Sequence, residues 1–142
     1  MSSAGDSEPF TEIEHRVIYA ETDQMGVVYH ANYLIWFDMA RTEHLRRRGV
    51  TYRELEEQGV FLAVVEAAVR YRAPARYDEI VRIKCWPRDV GSRRVTFAYA
   101  AREAESGRVV ATGETSLVAL NRQYVPTRLP EHVLALLESL PD

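Results

Sequence analysis

From Tyr29 onward the chain carries apolar side chains almost all the way round a helix. Tyr29, Tyr33, Leu34, Ile35, Trp36 and Phe37 fall within its first two turns. A helix with so little polar surface has to be covered on most sides. Tyr33, Phe37, Ala40 and His44 continue as one stripe, with Leu34, Arg41 and Leu45 beside it. The run ends at Arg46-Arg47-Arg48 and then Gly49. Cations in a last turn oppose the helix dipole, and glycine readily takes the conformation that follows a helix end. Arg46 to Arg48 therefore read as a solvated helix end. The rest of the chain must supply the cover for this helix.

Most of the remainder alternates with period two, the pattern of strands. Ile13 to Tyr19 sets Ile13, His15, Val17 and Tyr19 against Glu14, Arg16 and Ile18. A loop follows, Ala20 to Val28. Thr51 and Glu54 form a capping box that opens a short second helix, which stops at Gly59. Val60 to Tyr71 is a long valine-rich strand closed by Pro74. Glu79 to Trp86 and Arg94 to Arg102 alternate again, Gly91-Ser92 and Ser106-Gly107 turn the chain, and Val109 to Leu120 is the last strand. Glu131 to Leu140 predicts a short terminal helix. The order is strand, buried helix, short helix and a four-strand antiparallel meander. It predicts an α+β domain whose antiparallel sheet curls around the long helix. Open sheet edges tend to pair, so dimerisation through them is one solution.

With 142 residues the chain has room for one domain. We expect a flexible tail over residues 1–12 and a single domain over 13–142. The start of the chain is polar and acidic and lacks the basic and apolar parts of a signal peptide. No run approaches the roughly 18 apolar residues of a membrane span. Cys85 is the single cysteine, which excludes an internal disulfide and suits a reducing, cytoplasmic setting. A net charge of −3 offers no general basic field for nucleic acid, so any anion must meet a local arginine cluster.

Several chemistries are missing. There is no Gly-x-Ser-x-Gly elbow, no Walker loop and no Gly-x-Gly-x-x-Gly. His15, His30, His44 and His132 show no metal-ligand spacing, and neither metal nor cofactor is expected. Cys85, at an inward strand position, reads as a core residue.

The informative stretch is Tyr19-Ala20-Glu21-Thr22-Asp23-Gln24-Met25-Gly26-Val27-Val28-Tyr29-His30-Ala31-Asn32-Tyr33. It places a carboxylate, Asp23, in a loop close to a helix start. The first N–H groups of a helix lack internal partners and carry partial positive charge, so they can polarise a carbonyl or hold an oxyanion. A carboxylate facing them could attack a carbonyl or activate water. A thioester suits this arrangement because a thiolate leaves without strong acid assistance. Taken alone, Asp23 also fits a turn or a helix cap.

This stretch resembles the signature of the hotdog-fold thioesterases of the 4-hydroxybenzoyl-CoA thioesterase and YbgC-like group. The matching residues are Thr22-Asp23, Gly26-Val27-Val28-Tyr29-His30, Asn32-Tyr33 and Ala40-Arg41-Thr42-Glu43, with Tyr71-Arg72-Ala73-Pro74-Ala75 and Asp78 further on. The resemblance runs roughly from Ile13 to Leu120. It implies a hotdog fold and hydrolysis of an acyl-CoA substrate. Asp23 takes the place of the catalytic aspartate, as nucleophile or general base. His30 takes the position whose main-chain N–H polarises the thioester carbonyl. Gly26, Val28, Tyr29, Asn32 and Tyr33 fall where the substrate is bound. Arg88, Ser92, Arg93 and Arg94 fall where basic residues meet the CoA phosphates. The resemblance also implies a dimer or dimer of dimers with the active site between subunits. Tyr29, Tyr33, Phe61 and Leu62 are candidates for the acyl pocket. Alternatives are a thioester carried on acyl carrier protein, a dehydratase of the same fold, and a non-catalytic acyl-CoA binding module.

Overall fold

The computed structural model describes residues 9–138. One antiparallel sheet holds five strands: β1 (Thr11–Arg16), β2 (Phe61–Tyr71), β3 (Ile80–Val90), β4 (Arg94–Glu103) and β5 (Val109–Leu120). The helices are α1 (Asn32–Arg47), α2 (Tyr52–Glu57) and α3 (Glu131–Glu138), with a 3-10 turn at Tyr19–Glu21. Of the tail expected over residues 1–12, the first eight residues lie outside the described residues. Thr11 and Glu12 already belong to β1, paired with Cys85 and Lys84. The terminal helix expected to reach Leu140 is described as far as Glu138.

The spatial order is β1-β3-β4-β5-β2, which corrects the expected four-strand meander. Only β3, β4 and β5 run as a meander; β2 sits at the far edge beside β5. The connection over residues 72–79 explains this freedom. Fully extended, it spans about 26 Å, enough to cross three strand spacings of about 4.8 Å. Nothing therefore obliges β3 to lie next to β2. β3 also runs past the expected Trp86, because Pro87 falls at a register shift between Pro87 and Asp89, where its missing N–H costs little.

Helix α1 lies on the inner face of this sheet. Its buried residues are Tyr33, Trp36, Phe37, Ala40, Arg41, His44 and Leu45. They meet Val81, Ile83, Cys85, Val95, Phe97 and Tyr99, all shut off from solvent. Cys85 is a core residue, as its position in the strand implied. Arg41 enters the core with its hydrogen-bonding groups matched. Its Nε donates to the Tyr52 hydroxyl at 2.7 Å, and its guanidinium sits 3.1 Å from Asp38. Cover of α1 is less complete than its composition implied. Ile35 is 54% exposed and Met39 is also open, along a groove of about 740 Å³ between β1 and α1.

The edge strand β2 is the most open element of the sheet. Val64 and Val65 are about half exposed, and Glu66 to Ala68 are exposed as well. Among the described residues no other strand pairs with its outer edge. A long, apolar, unpaired edge is a template for another chain.

Candidate active site

The expected site residues gather at one end of the sheet. Thr22 pairs with Val28 in an isolated antiparallel bridge, and Tyr29 N–H donates to the Glu21 carbonyl at 2.8 Å. Residues 21–29 therefore form a small hairpin rather than the first turn of α1. This is why the helix starts at Asn32 and not near Tyr29. Asp23 sits at the tip. Its N–H donates to the Val27 carbonyl at 2.9 Å, and the Gly26 N–H donates to the Asp23 carbonyl at 3.0 Å. Gly26 has φ +81°, a conformation that closes the turn and that side chains resist.

The carboxylate of Asp23 is divided in its use. Oδ1 accepts from the Met25 N–H at 2.9 Å and from the Val27 N–H at 3.4 Å. Oδ2 has no hydrogen-bond partner among the described residues. Asp23 is thus a turn residue and an available carboxylate at once.

The hairpin rests on the 72–79 connection. Val28 N–H donates to the Ala75 carbonyl at 2.9 Å, and Val27 bridges to Arg76. Ala75 is fully buried, so Val28, also buried, is a support for the hairpin. Arg108 holds the connection from below, donating to the Pro74 carbonyl at 3.1 Å and to Glu79 at 3.0 Å.

At the helix start, Ala31 is the N-cap and supplies no side-chain cap. Among the described residues nothing accepts from the main-chain N–H of His30. Such uncapped donors suit an anionic or carbonyl oxygen. The peptide on the other side of His30 is fixed, because the Tyr71 hydroxyl donates to the His30 carbonyl at 3.0 Å. Tyr29 and His30 pack ring against ring at 4.4 Å, and Tyr33 meets Tyr71 at 5.4 Å. Tyr29 is half exposed and Tyr33 buried, so of the two only Tyr29 has much surface to offer a ligand. Burial pushes the Tyr33 phenol above its ordinary range. Asn32 Nδ2 donates to the Glu21 carbonyl at 2.8 Å, which commits this side chain to the hairpin.

Asp23, Gly26, Val28, Tyr29, His30, Asn32 and Tyr33 are thus brought together, whereas Arg93 and Arg94 are not. Arg94 pairs with Val118 in the sheet, whereas the site end of β4 is Ala101, opposite Ala111. Its guanidinium forms an ion pair with Glu66, and Arg88 is 2.8 Å from Glu114. Sequence reasoning missed Tyr71, Glu21, His15 and Trp36 as parts of the site. The clue that pointed there was His15, a polar ring on the inward side of an amphipathic strand.

A single curled sheet around one helix, with an uncapped helix start facing an edge, is the hotdog architecture. Residues 17–137 match the model of the thioesterase-like superfamily, and the chain belongs to that family. It is 41% identical over 88 residues to YneP of Bacillus subtilis, spanning 62% of that protein's length and 62% of its own. Against the acyl-CoA thioesterase YbgC of Haemophilus influenzae it is 32% identical over 126 residues, covering 88% of this chain and 92% of YbgC. The crystal structure of a DHNA-CoA thioesterase from Staphylococcus aureus superimposes with a TM-score of 0.81 at 34% identity, over 84% of this chain and 80% of that one.

Proposed function

We propose that this chain is an acyl-CoA thioesterase in which Asp23 acts on the thioester carbonyl. The observation that carries the reading is the half-used carboxylate of Asp23, held at the tip of a hairpin that runs into an uncapped helix start. Either Oδ2 attacks the carbonyl carbon and forms a mixed anhydride that water then hydrolyses, or it takes a proton from an attacking water. In both routes the C–S bond breaks and CoA leaves as thiolate. The His30 N–H stabilises the oxygen that gains charge, a task of backbone that any residue but proline at position 30 would leave in place.

The open edge of β2 supports assembly as a dimer or dimer of dimers, with the site completed by a second copy. In one chain Arg93 and Arg94 lie at the other end of the sheet, so their contact with CoA phosphates comes from that second copy. A buried, unpaired Cys85 fits a cytoplasmic setting. Acyl carrier protein is a second substrate carrier. Arg70, Arg72 and Arg76 favour it, being exposed near Tyr71 and without ion pairs among the described residues.

The test is thiol release from acetyl-, hexanoyl-, palmitoyl-, benzoyl- and 4-hydroxybenzoyl-CoA by wild type and Asp23→Asn. The expected outcome is turnover by wild type on at least one substrate and its loss, by roughly a hundredfold or more, in the folded variant. Undiminished turnover by Asp23→Asn would remove Asp23 from the chemistry. Binding of CoA thioesters without turnover by wild type would point to a binding module.

A further inference from the structure

Glu21 stands two residues before Asp23, and the family motif leaves it without a part. Its side chain is only 14% exposed, yet it lies beside a loop. The carboxylate accepts from the Trp36 indole Nε1–H at 2.9 Å, from the Ile18 N–H at 2.9 Å, and meets His15 Nε2 at 2.9 Å from both oxygens. Its main-chain carbonyl accepts twice more, from the Tyr29 N–H at 2.8 Å and from Asn32 Nδ2 at 2.8 Å. Burial alone would raise this carboxyl. The Trp36, Ile18 and His15 donors outweigh it and hold the group below its ordinary range, so it is ionised at neutral pH.

The five partners come from four parts of the fold. His15 is on β1, Ile18 precedes the 3-10 turn, Tyr29 closes the hairpin, and Asn32 and Trp36 are one turn apart on α1. His15 and Trp36 also touch each other, ring centroids 5.3 Å apart. Asp23 has no such ties. Among the described residues its hydrogen bonds run only to Met25, Gly26 and Val27 within its own turn. The Val28–Ala75 bond props the hairpin from the 72–79 connection, and its tie to the start of α1 runs through Glu21.

We propose that Glu21 is a positioning residue, an anionic hub that locks the Asp23 hairpin onto the start of α1. Its structural part stands on these contacts, and its kinetic part rests on the thioesterase reading. A loose hairpin misplaces the carboxylate, and a displacement near 1 Å can cost on the order of a hundredfold in rate.

Two measurements on Glu21→Ala, Glu21→Gln and wild type test it. The first is amide hydrogen exchange by NMR, which needs no substrate. In Glu21→Ala the Met25, Val27 and Tyr29 amides are expected to exchange at least about tenfold faster, with Phe97 and Tyr99 in β4 unchanged. In a folded Glu21→Ala, exchange in β4 that quickens by the same factor overturns the proposal, as does an unchanged hairpin. The second is steady-state kinetics on an acyl-CoA that wild type turns over. The kcat of Glu21→Ala is expected to fall about tenfold or more while KM stays within about threefold. Glu21→Gln is expected to restore only part of it, because Ile18 and Trp36 donate to different oxygens of the carboxylate and the single amide oxygen can accept from one of them. Unchanged kcat, or a loss confined to KM, overturns the kinetic part. Should Glu21→Ala not fold, Trp36→Phe removes one donor and keeps a ring, and the same three amides are read. If wild type shows no turnover, the thioesterase reading fails and the exchange result still decides the positioning role.

Discussion

The ring of Phe37 lies flat on that of Tyr99, centroids 4.4 Å apart and planes within 7° of parallel. Gly113, the β5 partner of Tyr99, is the floor that lets Phe37 come so close. A Cβ at Gly113 would stand 2.7 Å from Phe37 Cε2 and 2.4 Å from the Ala68 carbonyl oxygen. Gly113→Ala is therefore expected to destabilise the chain by about 1–3 kcal/mol, since overpacking forces a shift of β2 or of the ring. Urea denaturation measures this. An unchanged midpoint would mean that β2 yields freely at this point.

His44 makes stability depend on pH. It is fully buried, with Nδ1 2.9 Å from the Thr11 hydroxyl and Nε2 without a partner among the described residues. Burial, aided by the charges of Arg48 and Arg47, pushes its pKa down to about 3. The ring is therefore neutral in the folded chain, and the unfolded chain binds an extra proton once pH falls below about 6.5. Stability from this group is complete above that pH and declines as pH falls toward 3. About 2 kcal/mol is expected to go between pH 7 and pH 5. Denaturation midpoints of wild type and His44→Gln at both pH values check it, and parallel losses in the two proteins would contradict it.

Arg41 is a charge placed among aromatic rings. Besides Tyr52 and Asp38, it points toward the Tyr99 and Thr115 hydroxyls, both at 3.4 Å. Arg41→Ala strands the Tyr52 hydroxyl and opens a cavity beside α1. A loss of about 3 kcal/mol or more is expected in thermal or urea unfolding. A loss below about 1 kcal/mol would mean that water replaces the guanidinium.

The β2 edge can be tested without reference to activity. Val65→Glu places a charge where a neighbouring strand would pair, and two-fold symmetry would repeat it across the axis. Light scattering behind a sizing column is expected to show wild type as a multiple of 16.3 kDa and the variant shifted toward a single chain. A wild type that runs as a monomer would refute edge pairing.

Local signals in the chain translate well into structure. The Thr51–Glu54 capping box is present with both of its bonds, and β5 begins and ends where alternation places it. Non-local relations were less legible. Alternation says that β2 is a strand but not which strand it joins, because pairing depends on partners 40 or more residues away such as Val69 and Gly113. Asp23 stood out through the motif around it. Glu21 did not, since two of its three carboxylate partners lie 6 and 15 residues off, on a strand and a helix whose approach no local pattern reveals. Arg41 read as a helix flank for a similar reason: its phenol neighbours come from α2 and β4.

The bond between Val28 and Ala75 also has a meaning in time. The two residues are 47 positions apart, and α1, α2 and β2 lie between them. Closing so long a loop is slow compared with forming a helix turn. During synthesis α1 and its uncapped end emerge well before the Ala73–Ala75 segment that props the Asp23 hairpin. A growing chain thus carries the Asp23 carboxylate early and the support of its hairpin late, since more than half of the chain must leave the ribosome before Ala75 can accept from Val28.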